Sequence, residues 1–277
     1  MRVSNIHGKR SALAEAGADL LGGALERVIA ISGGDLSQIV RISLADGREA
    51  VVKSGPAPRA EAAMLAAIAA SGAPAPAVLG VSDGALVLER LPADGSVGNA
   101  WPSLGRALAT LHRAAGSCYG WREDYAFGPV AIPNAWTDDW PSFWAERRLL
   151  APAAGLPAEL ARRVERLASD LCERLPPRPA PALLHGDLWG GNVLVAGGRV
   201  TGLIDPACYY GHGEVDIAML TLFDVPDETF FEVYGPLEPG HGERLVIYRL
   251  WPALVHLRLF GGGYRPLVER ELAAAGV

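Results

Sequence analysis

The stretch "LLHGDLWGGNVLV", residues 183–195, sets His185, Asp187, Trp189 and Asn192 around two adjacent glycines and frames them with apolar residues. A carboxylate five positions ahead of an amide, with glycines between, suits neither a helix nor a strand. It suits a loop that aims polar groups at a ligand while apolar segments anchor both ends. Downstream, "NVLVAG" reads as a short strand, "GGR" as a turn and "VTGLID" as the returning strand, so this hairpin carries Asp205 back towards the loop.

Working outward to the N-terminus, residues 11–27 carry apolar positions at helical spacing. "QIVRISL" alternates as a half-buried strand does, "ADG" is a hairpin turn, and "EAVVK" is the partner strand ending in Lys53. The glycine-bearing "ISGGDLSQI" precedes this hairpin. After "GPAP", "RAEAAMLAAIAAS" is a helix with Glu61 in its first turn. "APAVLGVSDGALVLERL" gives a second strand pair, closed at Asp83-Gly84. The polar link "PADGSVG" marks the domain boundary, with residues 1–92 as a small strand-rich lobe and 93–277 as a larger one. In the second lobe "WPSLGRALATLHRAAG", "DDWPSFWAERRLLAPA", "PAELARRVERLASDLCERL" and "GERLVIYRLWPALVHLRLF" all read as helices. The fold class is therefore α+β and two-lobed, with a β-rich N-lobe and a mainly helical C-lobe.

Phosphoryl transfer from ATP needs positioning and charge compensation more than covalent chemistry. Asp187 and Asn192 have the Asp-x-x-x-x-Asn spacing of a kinase catalytic loop. Asp187 is the expected base for an acceptor hydroxyl. Asn192 and Asp205 are the expected Mg²⁺ ligands, since magnesium takes hard oxygens. The chain has only two lysines, Lys9 and Lys53, among many arginines, so a compact ammonium is wanted at position 53. Lys53 is expected on the phosphates with Glu61 holding it. Gly33, Gly34 and Ser37, with Ser32, are the expected phosphate-covering loop, and Asp35 beside them is an awkward neighbour for phosphate. The backbone of Glu89, Arg90 and Leu91 is expected to meet the adenine edge.

Half of the 277 residues are hydrophobic, a fifth are charged, and the net charge is −6, which argues against nucleic acid or an anionic membrane as partner. No apolar run is long enough for a bilayer and the N-terminus lacks a secretory core. Three cysteines without a CxxC pair fit a reducing cytoplasm. A monomer is favoured.

In this order the motifs resemble the protein-kinase-like small-molecule phosphotransferases, the group of the aminoglycoside and choline kinases. The closer resemblance is to the fructosamine 3-kinase (ketosamine kinase) family. It rests on "HGDLWGGN" and "IDPACYYGHGEVDIAML", supported by "NAWTDDWPSFWAERRL" and "LWPALVHLRLFGGGY", and runs from about Ser32 to Tyr264. The resemblance implies the kinase fold with ATP in the cleft between the lobes. It also implies phosphorylation of the 3-hydroxyl of a ketosamine, such as a ribulosamine or fructosamine on an amine or lysine, leading to deglycation. Relatives with a cysteine in the phosphate loop can form a disulfide there; Asp35 stands in that loop here.

Trp189, Trp136 and His212 are expected candidates for acceptor contact. Trp140, Phe143, Trp144 and Arg147 share a helical face and read as core or cleft wall. Asp216 is expected to anchor the catalytic loop, His185 to be structural, and Cys208 to be buried and inert. Alternative functions are a phosphotransferase for aminoglycoside, homoserine or choline-like acceptors, or a nucleotide-binding pseudokinase.

Overall fold

The computed structural model describes residues 2–31 and 37–277. Helix α1 (Arg2–Leu21) leads into β1 (Leu25–Ala30), which pairs with β2 (Ile39–Leu44), and β2 with β3 (Glu49–Lys53). The alternation in "QIVRISL" is realised: Val40, Ile42 and Leu44 are buried and pack with Leu13, Ala14 and Ala18 of α1. The hairpin closes where Gly47, at φ 87°, bonds Leu44 O, and the Asp46 carboxylate accepts from Arg48 N. Helix α2 (Pro58–Ala70) follows, started by proline in its first turn, and then β4 (Val78–Val81) and β5 (Leu86–Glu89) complete a sheet ordered β1-β2-β3-β5-β4. The helix expected over 11–27 stops at Leu21. Gly22 at φ 63° turns the chain there, and residues 25–30 become a largely exposed edge strand.

No helix or strand occupies residues 90–96. That link is tied to the hairpin of residues 193–203 by Thr201 Oγ1 to Pro92 O (2.7 Å) and Gly95 N to Val195 O (2.8 Å). Beyond it come α3 (Trp101–His112) and a small hairpin, β6 (Tyr125–Phe127) with β7 (Val130–Ile132). Helix α4 (Trp140–Phe143) runs through a π-helical segment, Trp144–Leu150, into α5 (Ala151–Ala153). Next are α6 (Ala158–Ser169), α7 (Leu171–Arg174), β8 (Pro181–Leu184), β9 (Val193–Ala196), β10 (Arg199–Leu203) and β11 (Tyr209–His212). Strands β9 and β10 form the expected hairpin, and β11 pairs with β8, the strand that leads into the His185–Asn192 loop. Helices α8 (Glu214–Phe223), α9 (Glu228–Tyr234), α10 (His241–Phe260) and α11 (Arg265–Ala274) finish the chain.

The large apolar core gathers α3, α8 and α10 with Trp140, Phe143 and Trp144. Helix α2 joins the two parts, since Ala62 and Leu65 pack on β5 while Met64 and Ile68 belong to the large core. The π-helical segment corrects one expectation. Its wider hydrogen-bonded turn shifts the side-chain register, so Arg148 enters the core and Arg147 turns out to pair with Glu146.

Candidate active site

The loop after β8 is fixed from beneath by Asp216 of α8. Its carboxylate, fully buried, accepts from His185 N (2.7 Å) and Gly186 N (2.9 Å). His112 Nε2 meets the same carboxylate at 3.1 Å, and the Tyr234 hydroxyl lies 2.9 Å from His112 Nδ1. Gly186 has φ 80°, and a Cβ there would strike the backbone carbonyl of Ala207. His185 is buried, with Nε2 donating to Ile204 O (3.0 Å) and Nδ1 accepting from Asp187 N (3.3 Å). Burial lowers its pKa, which suits a neutral ring that braces the loop. The adjacent glycines also have separate duties. Gly190 N donates to Asp224 (2.7 Å), and Gly191 lies under the Trp189 indole, where no Cβ fits.

So anchored, Asp187, Asn192 and Asp205 line, with Lys53, a cavity of about 320 Å³. Asn192 Nδ2 donates to Asp187 O (2.8 Å) and Oδ2 (3.1 Å), which turns the amide oxygen away as a neutral donor. Lys53 Nζ bonds Glu61 Oε1 at 2.9 Å and Asp205 Oδ1 at 2.6 Å. Burial pulls the Lys53 pKa down, but Glu61 and then Asp205 outweigh it and the ammonium is held charged. Asp205 is the one non-glycine with positive φ (55°) among the described residues, a conformation that Asp tolerates better than most. Asp187 is pushed up to about 7, chiefly by burial, with the Asn192 hydrogen bond opposing.

Ser37 lines the cavity, whereas Gly33, Gly34, Ser32 and Asp35 lie outside the described residues. The side chains of Glu89, Arg90 and Leu91 are engaged elsewhere. Glu89 accepts from Ala77 N (3.2 Å), Arg90 pairs with Glu49 (2.7 Å), and Leu91 covers Gly202. Trp189 lines the cavity, its ring edge-on to Phe223. Two expected acceptor contacts do not. His212 is buried beneath the site and bonded to the Tyr248 hydroxyl (2.9 Å), and Trp136 lies on the outside over Tyr210. Cys208 is a free, buried thiol whose pKa burial raises well above its usual value.

The rest of the cavity lining comes from parts that the motifs did not mark. Tyr125 and Phe127 of β6 form one wall, and α10 with the turn after it forms the other. The signal for the second wall was the run Trp251, Val255, Leu259 beside Pro252, His256, Phe260, all at four-residue spacing. Among the described residues, the Asp, Glu, Lys and Arg side chains lining the cavity are Lys53, Glu61, Asp187 and Asp205.

This architecture defines a class, the protein-kinase-like phosphotransferases. The solved structure of aminoglycoside phosphotransferase APH(4)-Ia superposes with a TM-score of 0.65 over 96% of this chain and 94% of its own, and at 18% identity it shows the fold alone. Within that class the fructosamine kinase family model matches residues 12–275, and the chain belongs to this family. It is 42% identical over 234 residues to the "Probable ketoamine kinase" of Synechocystis sp., covering 77% of each chain. A Thermobifida fusca YX-ER1 crystal structure bearing the fructosamine-3-kinase name is 33% identical with a TM-score of 0.86, covering 95% of this chain and 98% of the other.

Proposed function

We propose that this chain is an ATP-dependent kinase that phosphorylates the 3-hydroxyl of ketosamines, with ribulosamine and fructosamine adducts of amines or lysine as acceptors. The observation that carries the reading is the convergence of Lys53, Asp187, Asn192 and Asp205 in one cavity whose other described lining residues include no Asp, Glu, Lys or Arg apart from Glu61. Family membership supports the acceptor class. Beyond Glu61, Asp187 and Asp205, the described lining offers no carboxylate for the several ammonium groups of an aminoglycoside, which argues against that acceptor.

In this reading Asp187 accepts the proton of the acceptor hydroxyl as the new oxygen–phosphorus bond forms and the bond to the ADP oxygen breaks. Its elevated pKa, about 7, matches it to proton transfer near neutral pH. Lys53 holds the phosphates and gives up Asp205 to do so. The donor set fits magnesium, because Asp205 supplies carboxylate oxygen and Asn192 keeps its amide oxygen unused by hydrogen bonds among the described residues. Bound magnesium-ATP supplies the phosphoryl group and the charge that balances it. Ser37, with Gly33 and Gly34, covers the phosphates, and the backbone at 89–91 meets adenine. A phosphate placed next to the ketose carbonyl makes the adduct prone to release its amine. We place the lobe boundary at 92/93 and the protein, as a monomer, in the cytoplasm. The free cysteines fit that location, and among the described residues no helix is long and apolar enough to cross a membrane.

Asp187→Asn tests the reading. Turnover of a ribulosamine, followed by ADP release, is expected to fall at least ~10²–10⁴-fold while magnesium-ATP binding persists. Unchanged turnover removes Asp187 from this role, and turnover of kanamycin in place of ketosamines by the wild type overturns the acceptor assignment.

A further inference from the structure

Arg148 is fully buried and meets no carboxylate among the described residues. A buried charge without a counter-ion is costly, so its neighbours must explain its retention. Its guanidinium is caged by three rings, with centroids 4.0 Å away at Tyr209, 4.7 Å at Phe143 and 5.2 Å at Trp251. Nη1 donates to Pro133 O (2.8 Å) and Arg147 O (3.2 Å), and Nη2 donates to Asn134 Oδ1 (2.7 Å). The π-helical segment that brings Arg148 inward is itself rare and is a feature often found near functional sites.

These contacts reach two parts of the cavity wall, the β6–β7 hairpin and α10. Asn134 closes the base of the β6–β7 hairpin: its amide bonds Asp124 Oδ1 (2.7 Å), its side chain bonds Glu123 O (3.2 Å), and its carbonyl accepts from Trp121 N (2.9 Å). That hairpin presents Tyr125 and Phe127 to the cavity, and Trp251 faces them, its ring 6.5 Å from that of Phe127. One planar group therefore fixes the hairpin through neutral oxygens and the helix through an aromatic face. Lysine has neither the fork nor the plane to do both.

We infer that Arg148 is a positioning residue for the acceptor, setting the distance between the β6–β7 hairpin and Trp251 and hence the fit of the acceptor between them. This rests on the kinase reading above. None of its contacts involves Lys53, Asp187, Asn192 or Asp205, so the groups proposed to hold the nucleotide should be left alone.

The test is a steady-state comparison of Arg148→Met, Arg148→Lys and Asn134→Ala with the wild type, varying ATP and a ribulosamine separately. Arg148→Met is expected to raise the acceptor KM about tenfold or more with the ATP KM changed less than twofold. Arg148→Lys should fall between it and the wild type. Asn134→Ala should raise the acceptor KM in the same sense, and the double variant should be no worse than Arg148→Met alone, because both changes break one link. A purely structural role would lower the active fraction and leave both KM values in place, and that result overturns the inference. So does an equal rise in both KM values. If Arg148→Met does not fold, Asn134→Ala decides, since it leaves the aromatic cage whole. Should the wild type turn over no ketosamine, the proposed function fails separately, and the same KM split is read with whichever alcohol it does phosphorylate.

Discussion

Lys53 reaches two carboxylates, Glu61 at 2.9 Å and Asp205 at 2.6 Å, whereas Arg148 rests among three aromatic rings and neutral oxygens. Both cations are buried, yet their surroundings act oppositely. Around Lys53 the carboxylates outweigh burial and raise its pKa, while around Arg148 burial dominates and lowers it. A guanidinium tolerates that, since it starts so high that it stays protonated. A carboxylate partner can be exchanged for a phosphate of the same sign. A cage of rings has nothing to exchange. The first arrangement suits a group that must change partners during a reaction, and the second suits one that must keep its place.

Lys53→Arg is the strongest way to break this contrast. If a compact ammonium that moves between carboxylate and phosphate is what position 53 requires, the bulkier fork should cut turnover by about 10²–10³-fold, the scale of losing one preorganised charge contact. Nucleotide binding measured by calorimetry should weaken less than turnover falls. A variant with near wild-type kcat would show that any cation serves there.

Arg148→Met addresses the other half. The substitution removes a charge but leaves Pro133 O and Asn134 Oδ1 without donors, and each buried acceptor so abandoned costs about 1–3 kcal/mol. A loss of roughly 2–4 kcal/mol in urea unfolding is expected, with little dependence on salt because no ion pair is broken. A stability equal to that of the wild type would mean that the cage, without the fork, carries the contact.

The same contrast explains what could be read from the sequence. The phosphoryl end lies in short segments whose spacing is meaningful by itself: Lys53 and Glu61 bracket a strand-to-helix turn, and Asp187, Asn192 and Asp205 bracket a loop and a hairpin. The strand alternation and the α2 propensity were equally local. Arg148 was not legible, because a 3.6-residue period points Arg147 inward and only the π-helical register turns Arg148 there. The strand β1 was hidden for a related reason, since its residues are mostly exposed and lack alternation. Trp136 and His212 were misplaced because nearness in sequence to the motifs does not fix the side of the wall on which a ring falls. The remaining cavity walls depend on α10 meeting the β6–β7 hairpin across more than a hundred residues, a distance at which spacing carries no information.

His212 offers the smallest effect and a third way to bury a nitrogen base. It has neither a free carboxylate nor a cage. Glu214 lies 3.9 Å away, but its two oxygens are taken by Arg244 at 2.7 Å each. The Tyr248 hydroxyl accepts from Trp140 Nε1, so its own proton goes to His212 Nδ1 and requires a neutral ring. Burial, opposed by Glu214, moves the His212 pKa from 6.5 down to about 4. The unfolded chain then binds the proton more readily than the folded one, so stability is full above pH 6.5 and is lost as pH falls towards 4. Between pH 7 and pH 5 this one group should account for about 1–2 kcal/mol of lost stability. His212→Asn keeps an acceptor for Tyr248 but cannot take up that proton. Its unfolding midpoint should fall less over the interval than that of the wild type, even if it starts lower. Parallel falls would mean that the His212 pKa is the same in the folded and unfolded chain, and a smaller fall in the wild type would mean that the ring is charged in the folded protein, with Glu214 serving it as Glu61 serves Lys53.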